Sequence, residues 1–458
     1  MLKDVLPFDR VWLNSQNPSL TAKAISSFVH FLEQRLGAEF VYDHATIRNE
    51  SLDLVKILEL AEILRSRGVI RSYARVPRLS DEPNIASWRA EYVIEGGKRE
   101  GAGGSALDND SLALTKTLAE AIERNIWFTH SDFSPSRRAT LSEIEREDFL
   151  HPESFVSYND LERKNNPRLA LKPSDSFHWV KGYSWTKEKS SWVPAQIISG
   201  HSALRAFSHS GALEVIERDA YMITWLNQLS PPRIDLTELS LQSESLTLLL
   251  ERCRQYRFVP HAIHLPTDAP AHVVCIMLED STGTLPHFAV GLKAHKNPSL
   301  AVEGALLEAL RMHQSARKQK LSPETTWDPS TKASEVTHNN RLLYWAEPNR
   351  GDKLSFLIQG DIQPFTKEMW ESDTDEEHFA RIVKWCQKQN YDLVSVDFSD
   401  APANIPKWSI EFVVIPQLQP LYFSEKLPCI GGKRLQDIPE QFGYPSRKPY
   451  TDEPHPFV

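Results

Sequence analysis

The chain lacks several features that would assign it quickly. It has no G-x-x-x-x-G-K-[ST] loop, which excludes the Walker type of phosphate cradle. Its four cysteines (Cys253, Cys275, Cys386 and Cys429) never approach C-x-x-C spacing, which excludes a zinc ribbon or disulfide framework and fits a reducing compartment. No stretch reaches the roughly 18 consecutive apolar residues of a membrane-spanning helix. Lys3, Asp4, Asp9 and Arg10 interrupt the opening segment, so no secretory signal is expected and the reading is cytoplasmic. Positive charge is also in deficit. With 52 Lys and Arg against 61 Asp and Glu, the net charge of −9 argues against a general nucleic-acid binder. The basic run Arg311–Lys320 is local and reads as a helix end. What remains is an ordinary globular composition, and 458 residues allow two or three domains.

The most informative feature present is an acidic word that recurs. It reads Glu-Ala-Ile-Glu-Arg at Glu120–Arg124 and Glu-Val-Ile-Glu-Arg at Glu214–Arg218, with a partial echo at Leu306–Arg311. On a helix, positions i, i+4 and i+7 share a face. Lys116, Glu120, Glu123 and Arg124 therefore form one stripe, and Ser210, Glu214, Glu217 and Arg218 a second. Gly304, Glu308 and Arg311 take the matching places in a third helix. Leu114, Leu118 and Ile122, and in the second helix Leu213, Ile216 and Ala220, lie on the opposite faces. Paired carboxylates one turn apart repel unless a cation compensates, and such pairs suit Mg²⁺, which reaches phosphate through one or two carboxylates. The plainer alternative is three surface helices with solvated Glu–Arg pairs, each worth about 0.3 kcal/mol.

Around these helices the pattern predicts an α+β fold with repeated strand–loop–helix units. A helix is expected at 18–36, capped by Ser19, and another at Leu52–Arg67, stopped by Gly68. Strands are expected at Val69–Val76, Trp88–Ile94, Trp192–Ile198, Val259–Leu265, Ala271–Glu279, His287–Ala294 and Trp408–Pro416. Lys98–Asp110, with its Gly101-Ala-Gly-Gly104, reads as a loop feeding a helix N-terminus. Residues 131–176 read as a connection with short helices, and Leu239–Tyr256 as one helix. The division expected is a helical extension over 1–67, a main domain over 68–430 and a tail over 431–458.

Three segments carry a family resemblance: GAGGSALDNDSLALTKTLAEAIERNIW, GALEVIERDAYMITWLNQLSPPRIDL and PHFAVGLKAHKNPSLAVEGALLEALRMHQ. They resemble the nucleotide-site segments of the YcaO superfamily. The end, from VVIPQLQPLYF to PHPFV, resembles the streptolysin-S-type cyclodehydratase branch with its proline-rich terminus. The resemblance implies ATP-dependent conversion of Cys, Ser or Thr in a ribosomal precursor peptide to thiazoline or oxazoline, with ATP and Mg²⁺ as cofactors. It implies Glu120, Glu123, Glu214 and Glu217 as metal-side carboxylates, and Lys116, Arg124, Ser210, Arg218, Glu308 and Arg311 on the ATP phosphates. Pro454, His455, Pro456 and Val458 would shape the heterocyclisation pocket, His455 moving a proton, and their removal would leave the melting temperature nearly unchanged. The partners implied are the precursor peptide, a separate leader-binding protein related to ubiquitin-activating enzymes, a flavin dehydrogenase, and a second copy of the chain in a homodimer. Lys116 stands where the family often has Ser, Ser210 where it has Gln or His, and Val458 where it has Pro. Lys116 either binds phosphate itself or pairs with Glu120 in a site that has lost ATP. The competing functions are a non-catalytic scaffold for peptide and partner, and a thioamide-forming enzyme of the same superfamily.

Overall fold

The computed structural model describes residues 54–457 apart from 95–96, 98, 130–135, 166–169, 196–201, 206–207, 323–324, 365–372, 398–410 and 427. The helix expected at 18–36 and the terminal Val458 lie outside the described residues. Those residues form an α+β structure whose strands make three sheets.

The first sheet is antiparallel: β1 (Ser72–Arg75), β2 (Ala86–Val93) and β3 (Arg99–Ala106), in that order. Helix α1 (Leu54–Ser66), followed by Gly68 at φ +74°, and helix α2 (Asp110–Thr129) share an apolar core with it. The glycine-rich segment read as a loop is thus strand β3. Its glycines serve close packing instead of a phosphate turn: a Cβ at Gly104 would lie 2.4 Å from the Ala113 carbonyl oxygen and 2.7 Å from the Lys116 Cβ, so only glycine lets α2 lie directly on β3. The start of α2 is fixed by Asn109, whose Oδ1 accepts from the Leu112 amide at 2.8 Å.

The second sheet runs β4 (Ser136–Thr140), β5 (Ser176–Ser184), β13 (Val394–Asp397), β14 (Glu411–Val414) and β7 (Ser202–Arg205), with β6 (Lys189–Pro194) also paired to β5. The region read as a helical connection therefore contributes strand β4 as well as short helices.

The third sheet positions the site. Its order is β11 (Phe288–His295), β10 (His272–Asp280), β9 (Phe258–Leu265), β8 (Arg233–Ile234) and β12 (Ile362–Gln363). Register sets Cys275 of β10 opposite both Ile263 and Leu292, and the row faces helix α3 (Ser208–Asn227). The alternate residues Val274, Ile276 and Leu278 point to the other face, into a core with helix α4 (Glu244–Gln255) and helix α5 (Pro298–Leu321). Both faces are covered, which is why β10 reads as a continuous apolar run. The single helix expected at Leu239–Tyr256 is two, Leu236–Ser240 and α4, because the Ser243 side chain caps a new start at the Leu246 amide. Helix α5 begins at an Asn297 cap with Pro298 in its first turn. Later in the chain, helix α6 (Asp375–Gln389) and helix α7 (Arg434–Gln441) complete the packing around α3. No helix of the described residues is long and apolar enough to cross a membrane.

Candidate active site

Strand β3 ends its sheet on one side and β11 ends another, so each offers an unpaired row of backbone groups. Side chains from the acidic helices take up those rows. On β3 the Gly103 amide donates to Glu120 Oε2 at 3.1 Å, and Ser105 O accepts from Lys116 Nζ at 3.2 Å. On β11 the Leu292 amide donates to Glu308 Oε2 at 2.9 Å, and the Ala294 amide to Glu217 Oε2 at 2.6 Å. Three carboxylates from three helices are thereby fixed by backbone, not left to sample rotamers in solvent.

The second and third helices cover opposite faces of the third sheet, and their carboxylates come together at the β11 edge. Arg218 donates to Glu214 at 2.5 Å, and Arg311 to Glu308 at 3.2 Å. Glu217 is only 7% exposed. Burial, reinforced by the charges of Glu308 and Glu214 and opposed by Lys293, pushes its carboxyl up to about 7. Burial likewise raises Glu308, against the pull of Arg311, the Leu292 amide and Lys293. Arg311 also reaches the other sheet, with Nη1 3.3 Å from where a Cβ would stand at Gly103. That guanidinium links the Glu120 edge to the Glu308 edge.

Most of the residues singled out in the sequence converge. Glu214, Glu217 and Glu308 act on one another electrostatically, Arg218 and Arg311 are bonded to two of them, and Glu120 joins through Gly103. Glu123 is buried on α2, one turn on from Glu120. Arg124 lies 3.9 Å from Glu120 in a partly exposed pair, the one place where the solvated-pair alternative describes the geometry. Ser210 stands a turn before Glu214, next to His209, whose Nε2 is 2.8 Å from His378 Nδ1. Lys116 is placed by Ser105 O, and the opposing charge acting on it most is that of Glu303, not Glu120. Two participants were not singled out from the sequence: Lys293 of β11, and Glu303, which accepts from the Ser245 hydroxyl at 2.8 Å. The available signal was Gly304, a glycine inside a helix one turn before Glu308.

Among the described residues, no three His, Cys, Asp or Glu are gathered tightly enough to hold a metal by themselves. The donor set nevertheless fits a hard cation that keeps some of its waters and takes oxygens from a ligand: the carboxylates raise one another's proton affinity, and a divalent cation would relieve that repulsion.

The chain end is buried against α3, one turn beyond Glu217. Tyr221 lies edge-on to His455, with ring centroids 6.0 Å apart, and to Phe457, at 5.8 Å. The fully buried Arg341 donates to His455 O at 2.8 Å, Trp345 Nε1 to Pro454 O at 3.1 Å, and Trp225 Nε1 to Glu453 O at 3.0 Å. The tail is part of the core, so the expectation that it can be removed without loss of stability is corrected. His455 Nε2 donates to Tyr422 O at 2.7 Å, and burial beside Arg341 holds the imidazole well below its usual range. It is a neutral donor in an aromatic enclosure, which does not suit the proton-moving role expected of it.

A pH test addresses Lys116. Burial above all, helped by Lys293 and Arg311 and opposed by Glu303, pushes its ammonium down to about 8. An anion docking there favours the charged form, so affinity for a polyphosphate falls as pH rises through that value. Between about pH 7 and about pH 9 the dissociation constant should rise roughly tenfold, and Lys116→Met should remove the dependence. An unchanged wild-type affinity across that interval would exclude Lys116 from the ligand.

A family model described as "YcaO cyclodehydratase, ATP-ad Mg2+-binding" matches residues 107–419. Among curated proteins, none matches the chain in sequence. A solved heterocyclase in complex with substrate and cofactor is similar at 18% identity and TM-score 0.70, over 93% of this chain but 60% of that one. This chain thus spans somewhat more than half the length of that relative. YcaO from Methanopyrus kandleri, bound with AMPPCP and Mg²⁺, matches at 15% identity and TM-score 0.54, over 79% of this chain and 91% of that one. A chain of the E. coli microcin synthetase McbBCD complex matches at 12% identity and TM-score 0.53, over 76% of this chain and 88% of that one. At these identities the structures speak for the fold.

Proposed function

The chain belongs to the YcaO cyclodehydratase family, and from that premise we propose that it is an ATP-dependent peptide heterocyclase of the streptolysin-S-type branch. The observation that carries the reading is the pair of carboxylates, buried Glu217 and half-buried Glu308, anchored on neighbouring outward amides of β11 with Lys293 of β11 and Arg311 of α5 acting on them.

In this reading a Cys, Ser or Thr side chain of a ribosomal precursor peptide adds to the preceding amide carbon and loses its proton. The resulting oxygen takes the γ-phosphoryl group of ATP and ADP leaves. Phosphate then departs as the C=N bond of the ring forms and the amide nitrogen gives up its proton. The difficulty lies in making an amide oxygen a leaving group, and phosphorylation removes it. Such transfer is largely positioning and charge neutralisation. Arg311, Lys116, Arg218 and Arg124 would hold phosphate oxygens, with Ser210 at the start of the same helical face. Glu120, Glu123, Glu214 and Glu217 would hold Mg²⁺, with Glu308 beside them; when bound, the ion neutralises phosphate charge. Backbone anchoring keeps these carboxylates in place before the ligand arrives, which is what preorganised electrostatics requires. The tail, from Pro454 to the terminus, would wall the ring-forming pocket by holding α3 in place.

The partners in this reading are the precursor peptide and a separate leader-binding protein, a reading the likeness to a chain of the McbBCD complex supports. A flavin dehydrogenase would act on the azoline afterwards. The experiment is a melting series with Mg·ATP. At about 100 times Kd, linkage adds about 2.7 kcal/mol, which for a chain of this size is a rise of about 3 °C, and EDTA should abolish most of it. No rise at saturation would remove the catalytic reading in favour of the scaffold.

A further inference from the structure

The basic residue missed in the sequence, Lys293, occupies an unusual place. It lies on β11 between Leu292 and Ala294, the two residues whose amides hold Glu308 and Glu217. Its stem crosses α5 at Gly304: a Cβ there would lie 2.8 Å from Lys293 Cγ and 3.1 Å from Cδ. The glycine makes a trough, one turn before Glu308, in which the aliphatic stem rests. The charge at its end is felt by Glu217, by Glu308 and by Lys116. Counting the charges gathered in the proposed site, the carboxylates of Glu120, Glu123, Glu214, Glu217, Glu303 and Glu308 meet the cations of Lys116, Arg124, Lys293, Arg218 and Arg311. The cations come within one charge of balancing the carboxylates without any added ion. A set of carboxylates that already contains its own counter-charges has less capacity for free cations.

We infer that the Lys293 ammonium is a built-in cation, standing where a divalent ion would otherwise sit, so that this chain binds its nucleotide with one divalent ion fewer than the carboxylates alone would take. The inference rests on the proposed nucleotide site and specifies how that site is charged. Tethering removes the need to capture one ion from solution, and it fixes that charge relative to Glu217 and Glu308. It also gives Gly304 a purpose: any larger residue there would push the stem out of its trough.

The test counts ions directly. Wild type, Lys293→Met and Lys293→Arg are each saturated with a non-hydrolysable ATP analogue, and tightly held Mn²⁺ per chain is measured by equilibrium dialysis and electron paramagnetic resonance. Lys293→Met keeps the stem and removes the charge, so it should hold one more Mn²⁺ per chain than wild type, while Lys293→Arg should match wild type. Without nucleotide, Mn²⁺ should raise the melting temperature of Lys293→Met by more than that of wild type. If the Met variant does not fold, Gly304→Ala, which displaces the stem and leaves the charge on the chain, should show the added Mn²⁺ instead. Equal Mn²⁺ counts in wild type and the folded variant, with nucleotide bound to both, overturn the built-in cation and leave the proposed function standing. Absence of nucleotide and Mn²⁺ from every protein, wild type included, overturns both.

Discussion

Glu217→Gln should abolish ring formation, lowering the rate about 100-fold or more, while the folded protein gains stability near neutral pH. The glutamine oxygen can still accept from the Ala294 amide, so the 2.6 Å anchor survives in kind. What is lost is the charge that would hold a metal ion. The stability half of the prediction has a definite sign. The carboxyl of Glu217 is raised from 4.5 to about 7 in the folded chain. Below the lower value it is protonated whether folded or not. As pH rises between the two, the unfolded chain releases the proton and the folded chain retains it, so wild-type stability declines. At most this amounts to about 3 kcal/mol, and the amide variant should show a flatter profile over the same interval. Ring formation is read as loss of one water per ring by mass spectrometry, and stability by denaturant melts between about pH 5 and about pH 8. Wild-type turnover by the variant would remove Glu217 from the metal site, whatever the melts show.

Deleting Pro454–Val458 should both stop ring formation and lower the melting temperature. The second effect follows from burial. Phe457 would leave the main core, at a cost of about 3–5 kcal/mol by analogy with large-to-small changes. The donors Arg341 Nη1 and Trp345 Nε1 would lose their acceptors, each adding roughly 1–3 kcal/mol where water cannot enter. Arg341 keeps Glu425 at 2.7 Å, so the guanidinium is not left without a counter-charge. A subtler change separates packing from proton transfer. His455→Gln can keep a donor toward Tyr422 O while removing the imidazole; on the packing account it retains most of the activity and leaves the shape of the pH–rate profile unchanged. A truncated chain that melts with the wild type and forms rings at full rate would contradict both the burial and the assignment.

How much of this was readable from the chain depends on what each residue answers to. The long helices α3 and α5 and strands β9 to β11 were legible because their patterns run over many residues. Strand β3 was not, because Gly101, Gly103 and Gly104 are the usual signature of a turn, and the demand Gly104 meets comes from helix α2 lying directly on it. Helix α6 was not read from the sequence although it carries a capping box, Thr374 with Glu377, and the strand that follows it, β13, is only four residues long and offers little periodicity. In the site, the paired acidic helices were visible as repeated words. Lys293 was not, since one lysine in a strand pattern ordinarily marks a wet face; only the trough at Gly304 shows that it turns inward. Burial of the tail could not be read either. Proline-rich ends look alike in sequence whether they fray or dock, and the buried Arg341 that receives this one lies far away along the chain.

The carboxylates that seal the outer rows of β3 and β11 have a further consequence. An exposed strand edge recruits other strands, and chains commonly guard such edges with charge. Here the guard and the proposed ligand set are the same side chains. Replacing Glu217 and Glu308 together by alanine would bare the Leu292 and Ala294 amides on an apolar strand and open a docking line for a second chain. These two acids would therefore guard the strand edge whether or not a ligand is bound between them.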